Sequence, residues 1–560
     1  MRKFAIVAAA LIAAVSAGYC QTSEKTDRGL VALRNADGSV YVGWRLLLED
    51  KKDAGFHVYR RLADKEERLT PKPIIDGTNF VDSTAPKEGK ASYFVRPVDG
   101  EKEGPPSPAV AVADSPAGSS YVSFKLNGDY DVQKVALADL DGDGKYDYVI
   151  KQPNLNVDPY EAPGYWHKSP GTYKIEAYTS EGKHLWTHDM GWSIEQGIWY
   201  SPYVAYDLDA DGKADVYAKA GEGDPRDPNG RVMEGNEWLV QLDGLTGKVK
   251  NKVPWPERTG IDKYNYWSRN LMGIAYLDGK HPSLILIRGT YTLIKVEALD
   301  AQLKTIWRWT SADEKQKYAA QGMHGVHAAD VDGDGFDEIV LGSAVLDHNG
   351  KGLWTTEMGH PDACYVGDID PNNPGLEIFY GIEPKKQRDA VMLVDARTGR
   401  KLWGFDGPTR HVHGQGMCAD ILAEYPGQEC YAGEKDKSQY WLYAADGRRI
   451  GEKDIGGLAP RACFWDADPQ KEMVGEKSIR KFQGKTLLEL DGKGKIVLIA
   501  DCLGDWREEL IVCCPGELRI YTTTIPATTR RTCLMQDRLY RLDVVAASMG
   551  YFYPPQLSGR

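Results

Sequence analysis

The sequence predicts an all-β protein in two parts, an N-terminal fibronectin-like β-sandwich over residues 27–113 and an eight-bladed β-propeller over residues 120–558. Three observations predict it. The composition, with 59 Gly, 31 Tyr and 15 Trp among 560 residues, favours short strands joined by tight turns over helices. From residue 120 an acidic turn followed by an apolar strand returns at eight places, about 35–70 residues apart, which is the signature of a repeat architecture. Residues 27–113 lack that theme and show short alternating strands instead.

The elements follow in order. Met1-Arg2-Lys3, an apolar run from Phe4 to Val15 and Ser16-Ala17 read as a secretory signal over about residues 1–20, with cleavage allowed after Ala17. The run is too short to span a bilayer and no later stretch is long and apolar enough, so a secreted or periplasmic protein without a membrane span is expected. Val40-Tyr41-Val42-Gly43-Trp44, Gly55-Phe56-His57-Val58-Tyr59 and Ala91-Ser92-Tyr93-Phe94-Val95 are the strands of the sandwich. Pro105-Pro106-Ser107-Pro108 and Asp114-Ser115-Pro116 mark the linker. Beyond it, each acidic turn is followed by a strand such as Tyr148-Val149-Ile150 or Ile339-Val340-Leu341. A second theme ends in Trp, at Gly182 to Trp186, Gly350 to Trp354 and Gly399 to Trp403. Several strands per repeat fit a propeller blade better than a solenoid rung.

Three turns are complete. They are Asp139, Asp141, Asp143 and Asp147; Asp207, Asp209, Asp211 and Asp215; and Asp330, Asp332, Asp334 and Glu338. Each places acids at positions one, three, five and nine, with Gly144, Gly212 or Gly335 at position six to permit the reversal. Alternate carboxylates in a tight loop converge, and oxygen-only ligands suit calcium, so several Ca2+ ions are expected. An EF-hand would need Glu at position twelve and flanking helices, whereas here a strand follows. A solvated Asp-rich turn would explain one copy but not three in register. Shorter variants follow at Asp368, Asp370 and Glu377; at Asp420 and Glu429; at Asp466, Asp468 and Glu472; and at Asp501, Asp505 and Glu508. Tyr276-Leu277-Asp278-Gly279 is a degenerate copy.

A formal net charge of −12 argues against nucleic acid as a partner. An anionic partner would need bound cations between it and the protein, which the acidic turns can supply. The nine cysteines match no zinc spacing, and the simplest reading is small buried core residues with one or two bridges. To this point an enzyme acting on carbohydrate and a calcium-stabilised binding module fit equally.

Several motifs favour the enzyme. Asp27-Arg28-Gly29-Leu30-Val31, Arg288-Gly289-Thr290-Tyr291-Thr292, Gln321-Gly322-Met323-His324, Gly359-His360-Pro361-Asp362-Ala363, Gly414-Gln415-Gly416-Met417, Gly504-Asp505-Trp506-Arg507-Glu508-Glu509, Arg519 to Pro526 and Tyr551 to Pro555 run in one order along the mature chain. In them the chain resembles the propeller-type rhamnogalacturonan lyases, polysaccharide lyase family eleven. The resemblance implies a sandwich with an eight-bladed propeller, several calcium ions, and β-elimination of rhamnogalacturonan I, an acidic plant polysaccharide; a monomer is expected. The chain departs from the family's pattern at Met323, Pro361, Gln536 and the loop Asp491-Gly492-Lys493, positions expected near a substrate groove.

Lytic cleavage removes the C5 proton of a galacturonate and expels the oxygen at C4, so the uronate carboxylate must be neutralised and a base supplied. The resemblance places Lys493 in a substrate loop, Tyr551 under a sugar ring, Asn154 or Asn156 at a substrate contact, and Glu176 on the adjoining strand. His324 and His360 precede acidic turns and are candidates for base, substrate contact or calcium neighbour. Arg288 is a candidate either for the uronate carboxylate or for bracing a blade. The alternative is a non-catalytic calcium-stabilised propeller that holds pectic polysaccharide.

Overall fold

The structure is a computed structural model that describes residues 24–559 except 64, 88, 89, 315 and 316, so the signal segment and Cys20 lie outside the described residues. The chain is all-β. Eight four-stranded antiparallel sheets follow one another along it, seven of them built wholly from strands consecutive in sequence. Their first strands are Lys134–Ala138, Tyr203–Tyr206, Asn270–Ala275, Gly322–Ala329, Pro361–Gly367, Val412–Ala419, Arg461–Cys463 and Lys495–Ala500. The eighth sheet takes its outermost strand from the other end of the chain. Tyr121–Lys125 pairs with Glu517–Tyr521, Tyr121 opposite Tyr521. The first strand of the first sheet also adjoins that of the eighth, so the series returns to its start, held there by hydrogen bonds.

The recurring sequence themes have local causes. In most of the sheets the acid that opens the second strand turns back on its own turn. The Asp147 carboxylate accepts from Leu140 N at 2.9 Å, Glu338 from Val331 N at 2.9 Å, Glu377 from Ile369 N at 2.8 Å and Glu429 from Ile421 N at 2.8 Å. In the eighth sheet this acid is Glu509, which accepts from Cys502 N at 2.8 Å, so the expected Glu508 is off by one residue. Glu508 instead accepts from Phe464 N and the Tyr540 hydroxyl. The Trp that closes a sheet donates its indole N–H to the next sheet: Trp186 to Gly244 O, Trp354 to Ala396 O and Trp403 to Ala445 O, at 2.8–2.9 Å. The glycine of the following repeat lies on that ring. A Cβ at Gly399 would come within 2.6 Å of Trp354, and its φ of +69° also favours glycine.

The N-terminal part has two sheets. One holds Val31–Arg34, Val40–Gly43 and Asn79–Asp82, and the other is centred on Gly55–Leu62 and Ala91–Asp99. They share a core of Trp44, Phe56, Val58, Tyr93 and Val95. Arg45 and Tyr41 tie this part to the eighth sheet through the Cys502 carbonyl and Arg507. The eight described cysteines are all buried and unbridged, which corrects the expectation of one or two disulfides; the Cys418 and Cys430 sulfurs lie 3.4 Å apart.

The helix Arg538–Ala546 packs against the first strands of the first four sheets. Asp537 caps it by accepting from Tyr540 N. At its N-terminus Arg538 meets Asp337 at 3.3 Å, on the acidic-turn side. Midway, Asp543 meets His327 at 2.6 Å. Past its C-terminus Ser548 bonds Tyr203 O and Tyr551 N bonds His324 O, at the starts of first strands. The helix therefore runs from the acidic-turn side to the opposite side and ends in a floor, Tyr551 and Phe552.

Candidate functional site

Every first strand runs into its acidic turn, so the starts of those strands gather on the opposite side of the molecule. There the residues divide into two groups that share the floor.

The first group is rich in His and acid. Asp362 meets His413 at 2.5 Å, His360 at 3.3 Å and His324 at 3.7 Å. Glu383 meets His411 at 2.9 Å and His360 at 3.8 Å. Ligand atoms of Asp362, Glu383, His411 and His413 lie within 4.8 Å of one another, as do those of His324, His360 and Asp362. Burial would raise the Asp362 carboxyl, but hydrogen bonds from His360 and His413 and the nearby His324 hold it well below the usual range. Burial, with His360 and Arg269 beside it, pushes His324 well below an ordinary imidazole. Imidazole nitrogens and carboxylates together suit a divalent cation. Aromatic rings wall the group: Trp199 lies 4.5 Å and Tyr551 4.7 Å from the His324 ring, and the Tyr291 hydroxyl meets His324 Nε2 at 3.0 Å.

The second group is basic. A cavity of about 650 Å3 is lined by Lys134, Asn154, Arg461, Lys477, Lys495 and Phe552, among others. Arg461 lies over the Phe552 ring at 5.4 Å. A net-negative protein thus presents a positive hollow on this side.

The expected site residues are distributed unevenly. His324, His360 and Tyr551 belong to the first group and Asn154 to the second. Lys493 is exposed on the hairpin whose Gly492, Gly494 and Lys495 line the cavity; it does not line the cavity itself. Asn156 is exposed and accepts from Ile198 N at 3.0 Å. Glu176 is buried and accepts from the Tyr130 and Tyr178 hydroxyls and from Gln152. Arg288 is fully buried, paired with Glu237 at 2.6 Å and bonded to Trp267 O at 2.8 Å, which is the bracing arrangement. Among the family departures, Met323 is enclosed in the core and Gln536 bonds Leu48 N at 2.8 Å near the helix N-terminus. Neither faces the cleft, contrary to expectation; Pro361 does sit between His360 and Asp362. Lys134, Arg461, Asp362, Glu383, His411 and His413 went unselected. Most open or adjoin first strands, a signal that could have been found by reading each strand back from its acidic turn.

The turns also fit a cation. Ligand atoms of Asp139, Asp141 and Asp147 converge, as do those of Asp207, Asp209 and Asp211. In the fourth sheet Asp334 and Glu338 converge with His348, a residue missed in the sequence. Burial raises Asp147 to about 7, Asp207 to about 6 and Glu338 to about 9, and neighbouring acids add to the rise. Among the described residues, buried Glu338 Oε1 has no hydrogen-bond partner. Asp215 departs from its set by pairing with Lys250 at 2.7 Å. Asp330 accepts from Gly333 N at 2.7 Å and Asp332 from Asp334 N at 3.1 Å. In the fifth sheet Asp370 accepts from Asn372 N, and the Asp368 carboxyl is raised by burial.

The model of the rhamnogalacturonan lyase family 11 C-terminal domain matches residues 114–559, and that of the rhamnogalacturonan I lyase beta-sheet domain matches residues 21–113. Rhamnogalacturonan endolyase YesW of Bacillus subtilis (strain 168) is 36% identical over 590 residues, covering 97% of this chain and 91% of that protein. Rhamnogalacturonan exolyase YesX of the same organism is 33% identical over 599 residues, covering 96% of this chain and 94% of that one. The structure of the Bacillus licheniformis rhamnogalacturonan lyase PL11 superposes with a TM-score of 0.87 at 33% identity, covering 96% of this chain and 97% of that one.

Proposed function

The chain belongs to rhamnogalacturonan lyase family 11, whose members are polysaccharide lyases, and from that premise we propose that it cleaves rhamnogalacturonan I by β-elimination at galacturonate. The observation that carries the reading is the two-sided cleft, with a cluster fit for a divalent cation on one side, a basic hollow on the other, and Tyr551 and Phe552 beneath both. An alternating polymer of neutral and acidic sugars matches such a surface: aromatic faces take sugar rings and cationic groups take carboxylates.

Asp362, Glu383, His411 and His413 would hold the cation, with His324 and His360 beside them. Bound there, a cation would neutralise the uronate carboxylate and so make the C5 proton removable. Asp362, kept ionised by its histidines, fixes the His360 and His413 rings. Trp199 and Tyr551 narrow the cleft and keep water from it.

The finer features of the fold are read in the same way. The eight sheets are the blades of a propeller closed by Tyr121–Lys125, and the N-terminal sheets form a sandwich. Calcium occupies the complete acidic turns and stabilises the blades. The leading segment serves export, so that the enzyme meets its polymer outside the cytoplasm.

The test is to incubate the protein with rhamnogalacturonan I and calcium and follow ultraviolet absorbance, since elimination leaves a conjugated unsaturated uronate. New reducing ends without that absorbance would mean hydrolysis. Retention on the polymer without any cleavage would mean a binding module, a reading that loses the support of Met323 and Gln536 now that both face away from the cleft.

A further inference from the structure

Lys134 opens the first strand of the first sheet, and its cross-strand partner is Lys151. Directly opposed residues on neighbouring strands project to one face, where like charges repel. Both lysines are buried, and among the described residues neither has a carboxylate within ion-pair distance. Other buried lysines of this chain differ: Lys219 pairs with Glu237 at 2.7 Å and Lys471 with Glu508 at 3.1 Å. Lys151 is enclosed, bonded to the carbonyl and hydroxyl of Ser201 at 2.8 Å and flanked by the rings of Tyr173 and Tyr203. Lys134 instead lines the basic cavity, and the one hydrogen bond it makes is to Ala547 O at 3.3 Å.

Lys151 faces Lys134 from the neighbouring strand and Arg461 from the start of the seventh sheet; Lys477, Arg480, Lys495 and the Glu476 carboxylate, which acts on Arg461, line the same cavity, and the helix end offers a neutral carbonyl. Burial first, and Arg461 second, push the Lys134 amine down to about 7. An amine so placed has a free lone pair near neutral pH, in a cavity whose other basic groups attract uronates.

We propose that Lys134 is the general base that takes the C5 proton of the bound galacturonate, an assignment that rests on the lyase reading above. The neutral amine accepts the proton and becomes an ammonium. The C5–H electron pair forms the C4–C5 double bond. The C4–O bond breaks, its electron pair leaving with the oxygen, which takes a proton from solvent. Lys134 returns its proton to solvent, so the two products together have the composition of the starting polymer.

The test compares Lys134→Met and Lys134→Arg with wild type, following unsaturated product, melting temperature and polymer affinity. Arginine keeps the positive charge but offers no lone pair at these pH values. Both variants are expected to lower kcat about 10²–10⁴-fold, with KM within a few-fold and the melting curve close to wild type. Wild-type kcat/KM should rise as pH increases through about 7, because the free amine is the active form. If Lys134→Arg keeps a tenth or more of wild-type kcat, the residue supplies charge alone and the proposal is overturned. If neither variant folds, the wild-type profile decides, and a flat profile between about pH 5 and 9 overturns the proposal. Wild-type protein that makes no unsaturated product would fell the lyase reading itself, an outcome distinct from an active Lys134→Arg.

Discussion

Lys481 of the seventh sheet reaches into the acidic turn of its own repeat. Its ammonium meets Asp466 at 2.8 Å, Asp468 at 2.5 Å and Glu472 at 2.6 Å. A tethered cation thus neutralises the acids of this turn from within the chain. The sequence places Asp466, Asp468 and Glu472 in the series of turns, but the lysine comes from the strand after and has no spacing that marks it. Lys481→Met should leave three carboxylates facing one another and lower stability by about 1.5–3 kcal/mol, the scale of hydrogen bonds to charged groups. Added calcium should restore part of that loss, because a cation can enter the freed site. Urea melts with and without calcium check this, and a variant as stable as wild type in chelator would overturn the reading.

At the scale of elements, the helix Arg538–Ala546 decides the shape of the site, and no sequence pattern announced it. Nine residues with apolar and charged side chains intermixed carry little helical signal, and nothing local says that the segment packs against the first strands of four sheets. Its docking rests on polar contacts as well as packing, notably His327 with Asp543. Burial would lower the His327 pKa, but the Asp543 charge and hydrogen bond outweigh it, and the net shift is upward. A histidine whose folded pKa exceeds its unfolded value binds a proton that the unfolded chain releases. Its contribution is therefore complete below about pH 6.5 and is lost as pH rises through the folded pKa. Wild-type stability should accordingly decline as pH rises above about 6.5, and His327→Gln should lose part of that slope. Chemical denaturation at several pH values measures both, and identical slopes would refute the assignment.

At the scale of the whole molecule, one strand pair joins the two ends of the series of eight sheets, and in the complete turns carboxylates lie close together. Stripping calcium should therefore lower the melting temperature and readdition should restore it, each occupied site contributing about 2.7 kcal/mol at a hundredfold excess over its Kd. An unchanged melting curve in excess chelator would remove calcium from the account. The sequence by itself determined the all-β class, the spacing of the acidic turns and the tryptophan braces, because each is written within a few tens of residues and enforced by local backbone and side-chain geometry. It also determined the family, through motifs such as Gly359 to Ala363 that run in order along the chain. Only the tertiary structure decided which of those residues meet. Asp362, Glu383, His411 and His413 converge from two sheets, Lys134 and Arg461 from the first and seventh, and Arg288 turns inward to Glu237 instead of toward the cleft. Convergence of this kind depends on the order and orientation of whole sheets around the helix, a long-range geometry that no local pattern of residues encodes.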